Sequence, residues 1–248
     1  MTPSPSLRQV RERLAEPHAK RLLNLDVFAI VAPRYDAITR RLSFGCDAAW
    51  KDRLIRQLPA TDVRVCVDLA CGTGDLTLRL AAKYPQARII GLDLSDAMLN
   101  MGRARTSGVE NIRLQQGDLG NTGLAASSVD VITGGYALRN AGDLPEAILE
   151  IHRILRPGGT AAFLDFSKPP GKRRQAFELV LLRCWGGFWG LLYHRNPAVY
   201  TYIADSLAQF PDRRQLSELF QAQGFGLTSS RLYFGGIVQQ LLLVKRVS

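Results

Sequence analysis

The segment that most constrains this chain is Asp68-Leu-Ala-Cys-Gly72-Thr73-Gly74-Asp75, set between a short apolar strand pattern (Arg64 to Leu69) and a helical one (Leu76 to Lys83). Glycines at such a junction let the backbone approach a ligand closely where a Cβ would collide. A second strand pattern, Arg88 to Asp93, ends in an acid about twenty residues further on, a position from which a carboxylate accepts hydrogen bonds from ribose hydroxyls. A dinucleotide fingerprint needs a third glycine where Thr77 stands, and a phosphate loop needs a Lys-Ser/Thr ending that is missing. The pattern therefore fits a ligand with a ribose and an adenine but no pyrophosphate. Asp118, after the third strand, offers an acceptor for an adenine amino group.

The rest of the chain predicts how this loop is mounted. Strands are expected at Ile112 to Gln116, Val129 to Thr133 and Thr160 to Phe166. Helices are expected from the Ser95 cap to about Arg105, and from Leu144 to Leu155, where Pro157-Gly158-Gly159 stops the pattern. Strands alternating with helices imply an α/β, Rossmann-like fold, with a mainly parallel twisted sheet and helices on both faces. Before the sheet, residues 1–26 read as a flexible basic arm, and 27–60 as two or three helices. After the cofactor-binding core (61–170), residues 171–212 read as a helical, aromatic-rich substrate lid. Residues 213–248 read as a helix and an antiparallel hairpin turning at Gly235-Gly236. Residues 27–248 thus form one domain.

Composition narrows the functional classes. The net charge is +10, nearly all of it arginine, with only six lysines. No dense basic run with interleaved aromatics occurs, so nucleic acid is not an expected partner. No apolar run reaches the roughly 18 to 20 residues of a membrane span, and no secretory leader pattern is visible, so a cytoplasmic protein is expected. Cys46, Cys66, Cys71 and Cys184 have no ligand spacing, and His18, His152 and His194 form no set, so no metal is expected. Lys172, Arg173 and Arg174 could rest on anionic lipid, which leaves a peripheral membrane contact open; a homodimer is also left open.

The segment Asp68 to Asp75 resembles motif I of class I S-adenosylmethionine-dependent methyltransferases. From about residue 27 to 240 the chain resembles the UbiE/COQ5/MenG family of quinone-ring C-methyltransferases. The similar stretches are Val27-Phe28 through Tyr35-Asp36, Leu42-Ser-Phe-Gly45 with Trp50-Lys51, Gly134 to Asn140 with Asp143, and Arg153 to Gly159 followed by Leu164-Asp-Phe-Ser-Lys-Pro169. In the C-terminal part they are Tyr200-Thr-Tyr202, Asp205-Ser206, Phe210-Pro211 and Gly235-Gly-Ile-Val238. The departures are Asp47 for the family's usual His, Thr39 for Asn, Leu119 and Gly123-Leu124-Ala125 for an Ala and an apolar-Pro-Phe run, Tyr136 for Phe, Ala137 for Gly and Leu241 for His. They bear on the substrate rather than on the fold or the cofactor.

The resemblance implies S-adenosylmethionine as methyl donor, S-adenosylhomocysteine as product and a lipophilic quinol as acceptor. The expected cofactor residues are Asp68, Gly72, Thr73, Gly74, Asp93, Leu94, Asp118, Leu119 and Gly135. C-methylation needs a ring hydroxyl to lose its proton and push charge into the ring, so a cation or donor must sit near the developing phenolate. Arg139, following the fourth strand, is the first candidate. An arginine stays charged, so its expected role is electrostatic stabilisation and water orientation rather than base catalysis. Tyr35, Asp36 and Asn140 are candidates for positioning and proton relay. The expected reaction is methylation of a prenylated quinol such as demethylmenaquinol, with another aromatic or polyprenyl acceptor as the alternative.

Overall fold

The computed structural model describes residues 6–247. The first five residues of the expected arm lie outside the described residues. The rest of that arm is not an arm: it forms α1 (Leu7–Leu14) and the start of α2 (Pro17–Val31). Ser6 and Gln9 close a capping box at the start of α1, and the Glu16 carboxylate accepts from the backbone N–H groups of His18 and Ala19 ahead of α2. These caps satisfy N–H groups that a helix start otherwise leaves unpaired. Val10, Leu14 and Leu23 are buried against Val199 and its neighbours in a helical cluster. α1 buries only Val10 and Leu14, so a window full of Arg and Glu reads as solvated.

Two short helices follow, α3 (Tyr35–Leu42) and α4 (Asp47–Arg56). The sheet then alternates with helices as β1 (Val65–Leu69), α5 (Asp75–Lys83), β2 (Arg88–Asp93), α6 (Asp96–Thr106), β3 (Ile112–Gln116), β4 (Val129–Gly135), α7 (Leu144–Ile154) and β5 (Leu155–Phe166). The last part is α8 (Lys172–His194), α9 (Ala198–Gln209), α10 (Arg213–Ala222), β6 (Phe225–Tyr233) and β7 (Val238–Lys245). Among the described residues these strands make one sheet in the order β3-β2-β1-β4-β5-β7-β6. β1 to β5 pair in parallel, and β7 inserts antiparallel between β5 and β6.

Side chains alternate across the pleat. Cys66 and Val131 pack under α4 and α5, with Trp50, Leu54, Leu76 and Leu80. Val67 and Ile132 face the other layer, with Ile148 and Ile151 of α7 and Leu216 and Phe220 of α10. β5 begins five residues earlier than the sequence predicts. It runs through Pro157-Gly158-Gly159 as an irregularity rather than a stop, with Gly158 at φ +74° and the pairing to β4 shifting register between Val129 and Val131. Glycine at positive φ is what such a bulge requires. The parallel strands end together, and the loops after β1, β2 and β4 converge there, where open α/β sheets bind ligands.

Candidate active site

The loop after β1 turns tightly, with Ala70, Gly72 and Gly74 at φ +51°, +54° and +81°. A Cβ on Gly72 would lie 3.1 Å from Met98 Cε on α6. The Gly72 N–H donates to Asp93 Oδ2 at 2.8 Å, and the Ser95 N–H donates to Asp93 Oδ1 at 2.9 Å. Asp93 therefore holds the loop as well as facing the cleft beside it, and its burial pushes its carboxyl above the usual carboxylate range. Gly72, Asp93, Leu94, Asp118, Leu119 and Gly135 line this cleft, as the sequence predicts.

Three of the expected cofactor residues do not line it. Asp68 is 1% exposed, and its two oxygens accept from the hydroxyls of Thr77 at 2.7 Å and Thr133 at 2.9 Å. Burial pushes its carboxyl up to about 6, against the pull of those two hydroxyls. Its place is under the loop, tying β1 to α5 and β4. Thr73 turns its hydroxyl to Asp36 Oδ1 at 2.7 Å, and Gly74 is the N-cap of α5. A strand-end acid can point either to the ligand or into the sheet, and the polar partners on neighbouring elements draw Asp68 inward.

The missed wall of the cleft is α2. Arg21, Asn24, Leu25 and Phe28 cover it. Arg21 Nε lies 2.7 Å from Asp118 Oδ2, and another of its nitrogens lies 2.9 Å from Glu146. The cleft is only about 60 Å³ in this conformation. Gly72 at the cleft wall, the oxygens of Asp93 and the carboxylate of Asp118 fit a nucleoside, and Arg21 is paired to Asp118 beside them.

A second cavity of about 430 Å³ adjoins the cleft; Phe28, Tyr35, Tyr136 and Asn140 line both. Its other walls are almost wholly apolar, among them Val31, Leu42, Trp50 and Phe166, with Leu182 and Trp185 from α8 and Tyr202 from α9. The expected aromatic lid is thus only partly a wall: Phe177 and Phe188 of α8 point to solvent. Burial raises the Tyr35 hydroxyl far above the usual range, so it stays protonated.

Arg139 is the cation of this cavity. It is 2% exposed, with its guanidinium carbon 5.4 Å from the Phe166 ring centre and 5.1 Å from that of Tyr202. It donates to the Ser206 hydroxyl, and its backbone N–H donates to Asp165 Oδ2 at 3.1 Å. Asp165 Oδ1 lies 3.9 Å from Nε, which has no hydrogen-bond partner among the described residues. Burial raises the Asp165 carboxyl, opposed by the Arg139 charge. Asn140 accepts from the Tyr202 hydroxyl at 3.3 Å and donates to the Tyr136 carbonyl at 2.8 Å.

Asp36, expected beside the chemistry, lines neither cavity. Besides Thr73 it pairs with Arg105 at 3.0 Å, so it latches α3 to the glycine loop from the solvent side. Asp47, read in the sequence as a departure from the family pattern but not as a site residue, is buried and itself lines neither cavity. The Tyr136 hydroxyl donates to Asp47 Oδ1 at 2.6 Å, and Lys51 Nζ lies 2.6 Å from Asp47 and 3.0 Å from Asp75. Burial alone would depress the Lys51 ammonium, but the two carboxylates outweigh it and hold it above its ordinary value. Among the described residues no cluster of His, Cys, Asp and Glu is arranged to hold a metal ion.

The fold is similar to that of a SAM-dependent methyltransferase from Aquifex aeolicus. The two match with a TM-score of 0.62 at 11% identity, over 88% of this chain and 98% of that one. The fold is that of class I methyltransferases. Within that class, the sequence pattern of the ubiE/COQ5 methyltransferase family matches residues 18–245, and the chain belongs to that family. It is a methyltransferase. The chain is 36% identical to a 2-phytyl-1,4-naphtoquinone methyltransferase of Thermosynechococcus vestitus, covering 86% of this chain and 94% of the relative. It is 32% identical to a demethylmenaquinone methyltransferase of Deinococcus radiodurans, covering 85% and 88%.

Proposed function

We propose that this enzyme transfers the methyl group of S-adenosylmethionine to a ring carbon of a prenylated quinol such as demethylmenaquinol. The observation that carries the reading is Arg139, a buried cation fixed at the wall of an apolar cavity that shares four walls with the nucleoside cleft. Both named relatives act on prenylated naphthoquinones by their names, which supports the acceptor class.

When bound, S-adenosylmethionine supplies an electrophilic methyl group on a sulfonium. Gly72 and Gly135 leave room for its backbone-facing side, Asp93 would accept from the ribose hydroxyls, and Asp118 from the adenine once Arg21 has turned away. The apolar walls around Trp50, Phe166 and Tyr202 exclude water and hold a flat ring. Arg139 stabilises the ring oxygen as its proton leaves to water, and the ring hydrogen that the methyl group replaces leaves as a proton by the same route; the low-dielectric surroundings of the guanidinium strengthen its hold on the oxygen. Asp165 and Ser206 keep the guanidinium in place, while Tyr35 and Asn140 position the ring between cleft and cavity.

The test is incubation of the enzyme with labelled S-adenosylmethionine and a panel of reduced, demethylated quinols beside unrelated phenols. Label on the ring carbon of demethylmenaquinol is the expected result. No transfer to any quinol, with transfer to an unrelated acceptor, contradicts the proposal.

A further inference from the structure

α8 carries a face that nothing among the described residues covers. Phe177, Val180, Leu181, Cys184, Phe188, Leu191 and Leu192 are all exposed, Phe177 at 69%. Their spacing of three or four residues places them along one side of the helix. The opposite side is committed to α9. A Cβ on Gly186 would lie 2.8 Å from the Tyr200 carbonyl oxygen, and one on Gly190 would lie 2.7 Å from that of Asn196, so those glycines bring the helices into close contact. With that side packed, the apolar stripe can only face outward.

The stripe is continuous with the mouth of the larger cavity. Phe44, 68% exposed, stacks on Trp185 with ring centres 5.0 Å apart and meets Phe234 edge-on at 5.7 Å. Trp185 in turn stacks on Phe188 at 6.2 Å. Phe44, Leu181, Trp185 and Phe234 also line the cavity. Exposed cations flank the patch: Lys172 and Arg173 at the start of α8, Arg195 at its end, and Arg40 and Arg41 on α3. The acids on the same or adjoining helices are already engaged, Asp36 by Arg105, Glu178 by Arg174 and Asp205 by Arg183. No helix among the described residues is long and apolar enough to cross a membrane. An apolar stripe with basic flanks on a helix that cannot span is the pattern of a segment lying in a bilayer interface.

We propose that the outer face of α8, with Phe44 and Phe234, docks on an anionic lipid bilayer and opens the acceptor cavity directly to it. The partner is a lipid surface rather than a second copy of this chain, because the flanking charges have one sign and two such faces would repel. This surface rests on the proposed acceptor class only for its purpose: a prenylated ring dissolved in lipid would enter between Leu181, Trp185 and Phe44 without crossing water.

The experiment is co-sedimentation of the full chain with vesicles of phosphatidylcholine alone or mixed with phosphatidylglycerol, with no acceptor or cofactor present. Binding is expected to the anionic vesicles, weakened by salt. The double variant Lys172→Gln/Arg173→Gln should lower the partition constant by about thirtyfold, from about fivefold per cation near an anionic surface. Phe177→Asp/Leu191→Asp, neither of which lines the cleft or the cavity, should also abolish binding while leaving the melting temperature and the rate on a detergent-dispersed short-tail acceptor unchanged. Failure to bind anionic vesicles, or binding indifferent to both variants, overturns the proposal. So does a stable dimer by light scattering that Phe188→Asp converts to monomer. Because this readout needs no methyl transfer, it stands or falls separately from the choice of acceptor.

Discussion

Tyr136 donates its hydroxyl hydrogen to Asp47 across 2.6 Å, joining a residue of the loop after β4 to the first turn of α4. At both positions the chain departs from its family's usual pattern, which has Phe and His there. The departures are therefore one structural unit rather than two. Asp47 also binds Lys51, so the unit reaches from the wall of both cavities to Asp75 at the start of α5.

That coupling is measurable. Tyr136→Phe removes one hydrogen bond to a charged group, worth about 1.5–3 kcal/mol. Asp47→Ala also strips a carboxylate from buried Lys51 and should cost about 3–5 kcal/mol. In a double-mutant cycle by urea unfolding, the two should couple by about 1.5 kcal/mol or more. Additive effects contradict the pairing.

Arg21 pairs with Asp118, the acceptor proposed for the cofactor's adenine. Arg21→Ala should tighten S-adenosylmethionine binding about two- to fivefold, the scale of a partly exposed ion pair. Titration calorimetry showing weaker binding would mean that Arg21 itself contacts the cofactor.

Asp93 holds the loop and is the proposed acceptor for the ribose hydroxyls. Asp93→Ala should weaken cofactor binding by about two orders of magnitude, since two backbone N–H groups lose their acceptor as well. Unchanged affinity refutes the ribose assignment.

Glu150 on α7 gives an acid limit to stability. Burial alone would raise its carboxyl, but hydrogen bonds from Arg153 and Thr122 outweigh it and bring it to about 2. A carboxylate depressed on folding stabilises fully above its unfolded value and loses that contribution as pH falls through the folded one. The contribution, about 1–2 kcal/mol with solvent screening of the pair, should therefore vanish between about pH 4.5 and 2. Chemical denaturation of Glu150→Gln should show a flatter stability curve across that window; an unchanged slope contradicts this.

How much of this was legible in the sequence depends on whether the deciding contact is local. β2 and β3 fall on the predicted residues, because apolar runs bounded by turns or caps need no distant information. The hairpin of β6 and β7 was legible for the same reason. α1 and the first half of α2 were not: the two buried apolar residues of α1 matter only once α9 lies beneath them, although the Ser6 and Gln9 capping pair was there to be read. In the site, Gly72 and Asp93 announce themselves by their place at strand ends. The inward turn of Asp68 depends on Thr133, which is 65 residues away. Arg139 was identifiable as a candidate, but Asp165 and Ser206, which hold it, come from other elements.

The central claim is that Arg139 stabilises a developing charge on the acceptor. The most direct test is the turnover of Arg139→Ala and Arg139→Lys with labelled S-adenosylmethionine and reduced demethylmenaquinol, beside the cofactor Kd of each variant. The account predicts a fall in kcat of about 10²–10³-fold for Arg139→Ala, as for other lost oxyanion donors, with partial recovery in Arg139→Lys and a cofactor Kd within about twofold of the parent. A near-normal kcat in a folded Arg139→Ala enzyme would contradict it.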